Sequence, residues 1–406
     1  MINSDKRMVE EMKKPVVIVG GGVAGLQAAF QLHQQSISYL LIEKMDRVGG
    51  RVQSDVVNGF ILDHGFQVLQ TSYPGVQQNL DLTKLNLSYF QSGANLYQNG
   101  SFYPFFNPLR NPFELFKSVF AGIFTLGDLV KLARLWLKIQ GDISPLSNNK
   151  KTVEQYLIEI NFSQGFYKKF IYPFFAGVFL DPNFVQPASL FDYFLKQFLE
   201  GNAALPAQGI GQVAKQLAER LNSDSLMLGK EIVQINAKDV LLESGERLEF
   251  SKLILACDAK SASKLLDVPF VETSFLGAKT FYFSSDEFPD DLPLLNLIPK
   301  NESSILHFSC LSNVCANYAP LKKKLISVTS LNHGMTDEEI ALELVRFTGK
   351  LKGLTFLKSY FIPYSLPKVG FFEPLKLEAQ NRGFKLVGDY LGYPSLQSAL
   401  GDVDLN

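Results

Sequence analysis

The chain opens with short aliphatic runs separated by stretches of helix-forming composition. Val16–Val19 is an uninterrupted apolar run of the kind that forms a strand buried on both faces. Residues 25–32 are rich in Ala, Leu and Gln, which favours a helix, and a second apolar run, SYLLIEK, follows at 38–44. The first 45 residues therefore predict a β-α-β unit. Farther on, residues 229–259 predict a strand, a short β-meander with a Ser-Gly turn, and a returning apolar strand. FKLVG at 384–388 predicts one more strand, with a helix opening at Leu396 and Gln397.

Between these segments the periodicity is helical. Asn111 stands as an N-cap, Pro112 at the first helical position and Glu114 as the closing residue of a capping box. Leu115, Phe116, Val119, Phe120, Ile123 and Phe124 then make one apolar stripe. Thr125 and Asp128 predict a second cap before LVKLARLWLKI. Both helices read as core-facing, with a lipophilic tunnel wall or a membrane-resting face as the sharper alternative. Pro173 and the Ala176-Gly177 step predict an interrupted segment, which makes Phe174 and Phe175 candidate pocket-lining residues. Gly209-Ile210-Gly211 follows LPAQ and not a strand, so it predicts a helix start and not a second nucleotide turn.

Composition narrows the class. A length of 406 residues predicts two domains, or one interrupted by another. The 39 basic and 40 acidic residues nearly cancel and form no Lys/Arg block, which argues against a nucleic-acid partner. Of 34 phenylalanines, 17 fall between positions 101 and 200, so the middle of the chain is markedly apolar. Cys257, Cys310 and Cys315 have neither metal-ligand nor redox-pair spacing. The N-terminus lacks an apolar signal core, and no window offers the roughly 18 to 20 apolar residues of a membrane span. The expectation is a soluble cytoplasmic protein, with contact at a membrane surface left open.

The chemistry sits in the first unit. Gly20, Gly22 and Gly25 stand as G-x-G-x-x-G between strand and helix: a tight turn, a close backbone approach to pyrophosphate, and a helix packed on its strand. The N–H groups of the first helical turn, around Val23 and Ala24, then face the phosphates. Glu43, followed by Lys44, ends the second strand where an acid accepts hydrogen bonds from an adenosine ribose, which disfavours a 2′-phosphate. Gly49-Gly50-Arg51 offers a second close approach and a guanidinium for phosphate.

With these elements in this order, the sequence resembles the FAD-binding domain shared by flavin amine oxidases, phytoene desaturases and protoporphyrinogen oxidases. The resemblance implies an α/β fold: a Rossmann-like FAD-binding domain of the glutathione-reductase type, with a parallel sheet and a β-meander, interleaved with an α+β substrate domain. It assigns 1–72, 205–265 and 365–406 to the FAD domain and 73–204 and 266–364 to the substrate domain. FAD is the implied cofactor. GFILDHGFQVLQTSYP, residues 59–74, implies backbone at the isoalloxazine edge, with Asp63 to Gln67, including Gly65 and Phe66, near the flavin. Ile232 is implied at the adenine, Ala256 on the returning strand, Gly388 and Asp389 at the pyrophosphate and ribityl chain, and Ser395 and Leu396 at the pyrimidine end. His64 and Gln67 are the candidate catalytic residues; His33, His307 and His333 have no motif context.

The sequence also departs from the amine-oxidase pattern. Lys279 stands one residue out of register with the lysine that amine oxidases hold near flavin N5, and on a strand one residue reverses the face. Ser395 takes the place of an amine-guiding tyrosine, and Tyr390 and Tyr393 are not equivalent to it. The expected reaction is dehydrogenation of a lipophilic small molecule, with oxygen or a quinone as electron acceptor. Amine oxidation, a flavin-dependent isomerase or mutase, and a lapsed flavin-binding protein are the alternatives. Where relatives continue the last helix, this chain ends at LGDVDLN, which implies weaker FAD retention.

Overall fold

The computed structural model describes residues 14–107, 110, 122–141, 143–144 and 151–401. Strand β1 (Val16–Val19) leads through the glycine turn into helix α1 (Val23–Gln34) and back along β2 (Tyr39–Glu43). The helix starts two residues before Gly25, because Gly22 takes the extended N-cap conformation. β1 lies at the centre of a five-stranded parallel sheet whose other strands are β2, Leu226–Leu228, Lys252–Leu255 and Lys385–Leu386. Covered on both faces, Val17 and Ile18 are fully buried, which is why this stretch carries no polar alternation. The meander follows as Ile232–Ile235, Asp239–Leu242 and Arg247–Glu249, antiparallel throughout, and Gly245 takes the left-handed conformation its turn requires.

A second, seven-stranded sheet is assembled around Phe275–Ser285, Lys324–Ser330 and Ile305–Cys310. Helix Asp337–Thr348 covers one face, packing Ile340 and Leu344 on Phe281, Phe308 and Val328. A cavity opens on the other face. The fold is thus α/β, a parallel nucleotide-type sheet with a meander joined to an α+β layer.

The helical region follows its caps. Thr125 and Asp128 form a reciprocal capping box on Leu126–Lys138. The helix predicted from Asn111, with Leu115, Phe116, Val119 and Phe120, lies outside the described residues, whereas Ile123 and Phe124 are buried. The last five residues also lie outside them. Pro173 does disturb its helix: Tyr167–Ile171 widens to a π-turn, which accommodates the missing N–H, before Tyr172–Phe179 resumes. The expected break at Ala176-Gly177 does not occur. That helix runs on to Leu180, which ends it in the left-handed conformation. Gly209 and Gly211 pack on β3 (Ser54–Val57), where Cβ atoms would stand 2.3 and 3.0 Å from Ser54, and Gln212–Ala218 begins there as a helix.

Candidate functional site

Each glycine of the first turn meets a different constraint. Gly20 has φ +108°, and a Cβ there would lie 2.8 Å from the backbone of Cys257. A Cβ on Gly25 would lie 2.0 Å from the Gly20 carbonyl, so only glycine lets α1 seat on β1. At Gly22 a Cβ would meet nothing within 4 Å, because this residue faces an open cavity. α1 has no side-chain N-cap, which leaves its first-turn N–H groups at Val23 and Ala24 for an anion. Gly49 is fixed beside the turn by its N–H to the Gly21 carbonyl, 2.8 Å, and Gly50 stands against Gly22. The buried Glu43 carboxylate accepts from the Gly21 N–H at 2.6 Å and the Met45 N–H at 2.9 Å. Each oxygen keeps a lone pair for a ligand hydroxyl.

The cavity, about 1670 Å³, runs from this turn along Glu43, Lys44, Ile232 and Ala256. It passes Gly388, Asp389, Ser395 and Leu396 and ends among aromatic side chains that include Phe174 and Phe175. Arg51 does not reach freely into it. Its guanidinium donates to Asp389 at 2.6 Å and to the Ser365 carbonyl, bridging the G-G-R turn and the end of the chain. Burial opposes the Arg51 charge, and Asp389 more than offsets it, raising the guanidinium pKa. Ser395 caps the helix Leu396–Ala399 through the Ser398 N–H.

The segment 63–67 divides. Asp63, at the end of β4 (Phe60–Asp63), is expected near the flavin but turns away from the cavity: it accepts from Ser54 Oγ, the Ile210 N–H and Tyr318 OH. Burial pushes its carboxyl up to about 6 despite those donors. The alternation of the strand aims Asp63 inward, and His64 to Gln67 follow along the cavity wall. His64 stacks on Tyr360 at 4.5 Å, with Nε2 3.2 Å from Asp55. Burial would raise the Asp55 pKa, but donors from Lys358, Tyr360 and Arg47 hold it well below the usual carboxylate range. Gly65 has φ +100° and open space at its Cβ position, so its backbone borders the cavity directly. The Phe66 N–H donates to Thr280 Oγ1, 3.2 Å, and the Gln67 amide donates to the Arg51 and His64 carbonyls.

Strand parity decides the lysine. Lys279 points away from the cavity and donates to the Met335 carbonyl at 2.8 Å, whereas its neighbours Ala278 and Thr280 line the cavity. Tyr393 is also engaged elsewhere, donating to Tyr193 OH at 3.1 Å. The buried, cavity-lining His307 has no motif around it, so sequence reasoning passed over it; burial pushes its imidazole down to about 3.

Comparison with known proteins agrees with this fold. Residues 23–346 match the family model described as flavin containing amine oxidoreductase. Protoporphyrinogen oxidase 2, chloroplastic/mitochondrial, of Arabidopsis thaliana is 29% identical over 168 residues, which take in 40% of this chain and 32% of that protein. Amine oxidase [flavin-containing] A of Canis lupus familiaris is 34% identical over 122 residues, 28% of this chain and 22% of the relative. The chain thus aligns with a third or less of the length of these relatives. In structure it is similar to an oxidoreductase from Methanosarcina mazei, with a TM-score of 0.70 at 14% identity over 95% of this chain and 98% of the other.

Proposed function

The chain belongs to the flavin containing amine oxidoreductase family, and on that premise we propose that it is an FAD-dependent oxidoreductase that dehydrogenates a lipophilic small molecule. The observation that carries this reading is one continuous cavity joining the glycine turn to an aromatic-walled chamber. When bound, FAD supplies the two-electron acceptor at N5, and oxygen or a quinone receives the electrons afterwards.

The residues present fit that cofactor. The first turn of α1 and Gly22 would hold the pyrophosphate, Glu43 the ribose, Ile232 the adenine side, and Gly65 to Gln67 with Leu396 the flavin ring. Gly388 and Asp389 would border the ribityl chain, with Arg51 holding Asp389 in place. Three separated segments, 1–72, 205–265 and 365–406, would thus form the cofactor domain, with 73–204 and 266–364 as the substrate domain. Gln67 keeps the loop backbone in position, and the chamber walls exclude water and orient the substrate carbon. His64 faces the cavity from a charge cluster centred on Asp55, a setting suited to tuning the flavin or moving a proton.

Two observations set amine oxidation below this reading: Lys279 faces away from the cavity, and Ser395 serves as a helix cap. Among the described residues no helix is long and apolar enough to cross a membrane. The test is anaerobic titration of the purified protein with polyenes, reduced porphyrins and primary amines, following the flavin absorbance. Bleaching by an apolar molecule and recolouring in air is the expected result. Bleaching by amines alone would overturn the substrate class, a need for prereduced flavin would point to an isomerase, and a colourless protein without FAD affinity would overturn the whole reading.

A further inference from the structure

Three adjacent strands of the seven-stranded sheet carry a polar row toward the cavity. The register pairs Thr280 with Thr329 and Thr329 with His307, and all three line the cavity. Directly paired residues on one face lie side by side, roughly 5 Å apart between Cβ atoms. A bulge between Ile305 and His307 produces this arrangement. It lets Ile305 and Phe308 both enter the core beneath helix Asp337–Thr348, and turns His307 to the opposite face. Gly177 makes room there, since a Cβ on it would stand 3.0 Å from His307 Nε2.

Of the row, Thr280 is engaged by the Phe66 N–H. The other two are not. His307 is 4% exposed and Thr329 2% exposed, yet neither His307 Nδ1 nor Thr329 Oγ1 has a hydrogen-bond partner. Their surroundings are apolar, with the Phe66 ring 5.0 Å from the imidazole. Buried polar atoms without partners, here on two residues paired across the ladder, are costly in a folded chain; neither atom is open to a water-sized group as the side chains stand, and a ligand that turns them and satisfies both removes the cost.

Resting on the proposed reaction, we propose that His307 and Thr329 form a subsite for one uncharged oxygen, a hydroxyl or carbonyl, on an otherwise apolar substrate. A hydroxyl donates to one partner and accepts from the other, and a carbonyl accepts from both. Burial keeps the imidazole neutral, which disfavours a carboxylate or phosphate at this point. The cavity's cationic side chains are placed or engaged elsewhere: Lys44 follows Glu43, Lys230 donates its N–H to the Glu43 carbonyl, Lys260 and Lys264 sit on the helix after Ala256, Arg47 pairs with Asp55 and Arg51 with Asp389. The substrate class is thereby narrowed from lipophilic molecules in general to lipophilic alcohols, ketones and aldehydes.

The test compares binding of 2-naphthylmethanol and 2-methylnaphthalene, which share a shape and differ by one hydroxyl, to the purified flavin-loaded protein by calorimetry. The wild type is expected to prefer the alcohol by about tenfold, the size of one good buried hydrogen bond. His307→Leu with Thr329→Val should bring the ratio close to one. Thr329→Val alone, which keeps the shape, should lower the ratio by about threefold and keeps the test open if the double variant does not fold. Equal affinity for both probes in the wild type, or an undiminished preference in the variants, overturns the subsite. Neither probe needs to react, so absence of turnover counts against the proposed reaction alone, and absence of preference in an active enzyme counts against the subsite alone.

Discussion

Gly22 and Gly25 sit three residues apart, and replacing each by alanine separates cofactor binding from folding. Gly22 has φ −71° and ψ 176°, a conformation any residue adopts, and its Cβ would project into open space. In the cofactor-free protein Gly22→Ala should therefore cost at most about 1 kcal/mol, the loss of glycine's mild N-cap preference. For a chain of this size that is a fall of about 2 °C or less in Tm. Pyrophosphate in the proposed site is another matter, because the methyl group would occupy the approach to the N–H groups of α1. Loss of one charge-assisted hydrogen bond, about 1.5 to 3 kcal/mol, weakens FAD binding by roughly 10- to 100-fold. Gly25→Ala should behave in the opposite way. Its Cβ would be 2.0 Å from the Gly20 carbonyl oxygen, so α1 must move off β1, and the cofactor-free protein should lose about 3 kcal/mol or more. Trp136, the only tryptophan, lines the cavity, so quenching of its fluorescence by added FAD measures affinity, and thermal melting measures stability. Wild-type FAD affinity in Gly22→Ala, or an unchanged melt in Gly25→Ala, would refute the assignment of these glycines.

Removing Arg51 strands the buried Asp389. Arg51→Met should destabilise the protein by about 1 to 2 kcal/mol, less than for a fully buried pair because the arginine side chain is partly exposed, and a double-mutant cycle with Asp389→Asn should recover most of the loss. The Asp63 carboxyl is raised from 3.8 to about 6 by burial, so it favours the folded state below about pH 4, and that contribution is lost as pH rises through 6. Stabilities from urea melts between pH 4 and 7 should fall by about 2 kcal/mol more in wild type than in Asp63→Asn; parallel profiles would count against it. Lys279→Met should leave flavin reoxidation by oxygen within about twofold in stopped-flow measurements, since the ammonium is turned to the Met335 carbonyl; a large slowing would mean the side chain reaches the flavin.

Local signals were legible wherever the constraint is local. The G-x-G-x-x-G turn, the Thr125/Asp128 capping box and the Ser244-Gly245 turn of the meander all express backbone demands met within a few residues. Pro173 marked a real disturbance, but a π-turn absorbed it, and the helix continued on the strength of its buried Phe175 and Phe179. Asp63 and His64 are adjacent in sequence, yet one serves the buried junction with Tyr318 and the other the cavity wall, a division set by which way β4 faces.

By itself the sequence determined the nucleotide-type turn, its acidic partner Glu43 and the parity that turns Lys279 from the cavity, because each depends on spacing along one element. The tertiary structure alone decided that Arg51 pairs with Asp389 across 338 positions and that a bulge turns His307 toward Gly177. Such pairings depend on how separate elements pack and on where a strand breaks its register, and a hydrophobic pattern read one segment at a time contains neither.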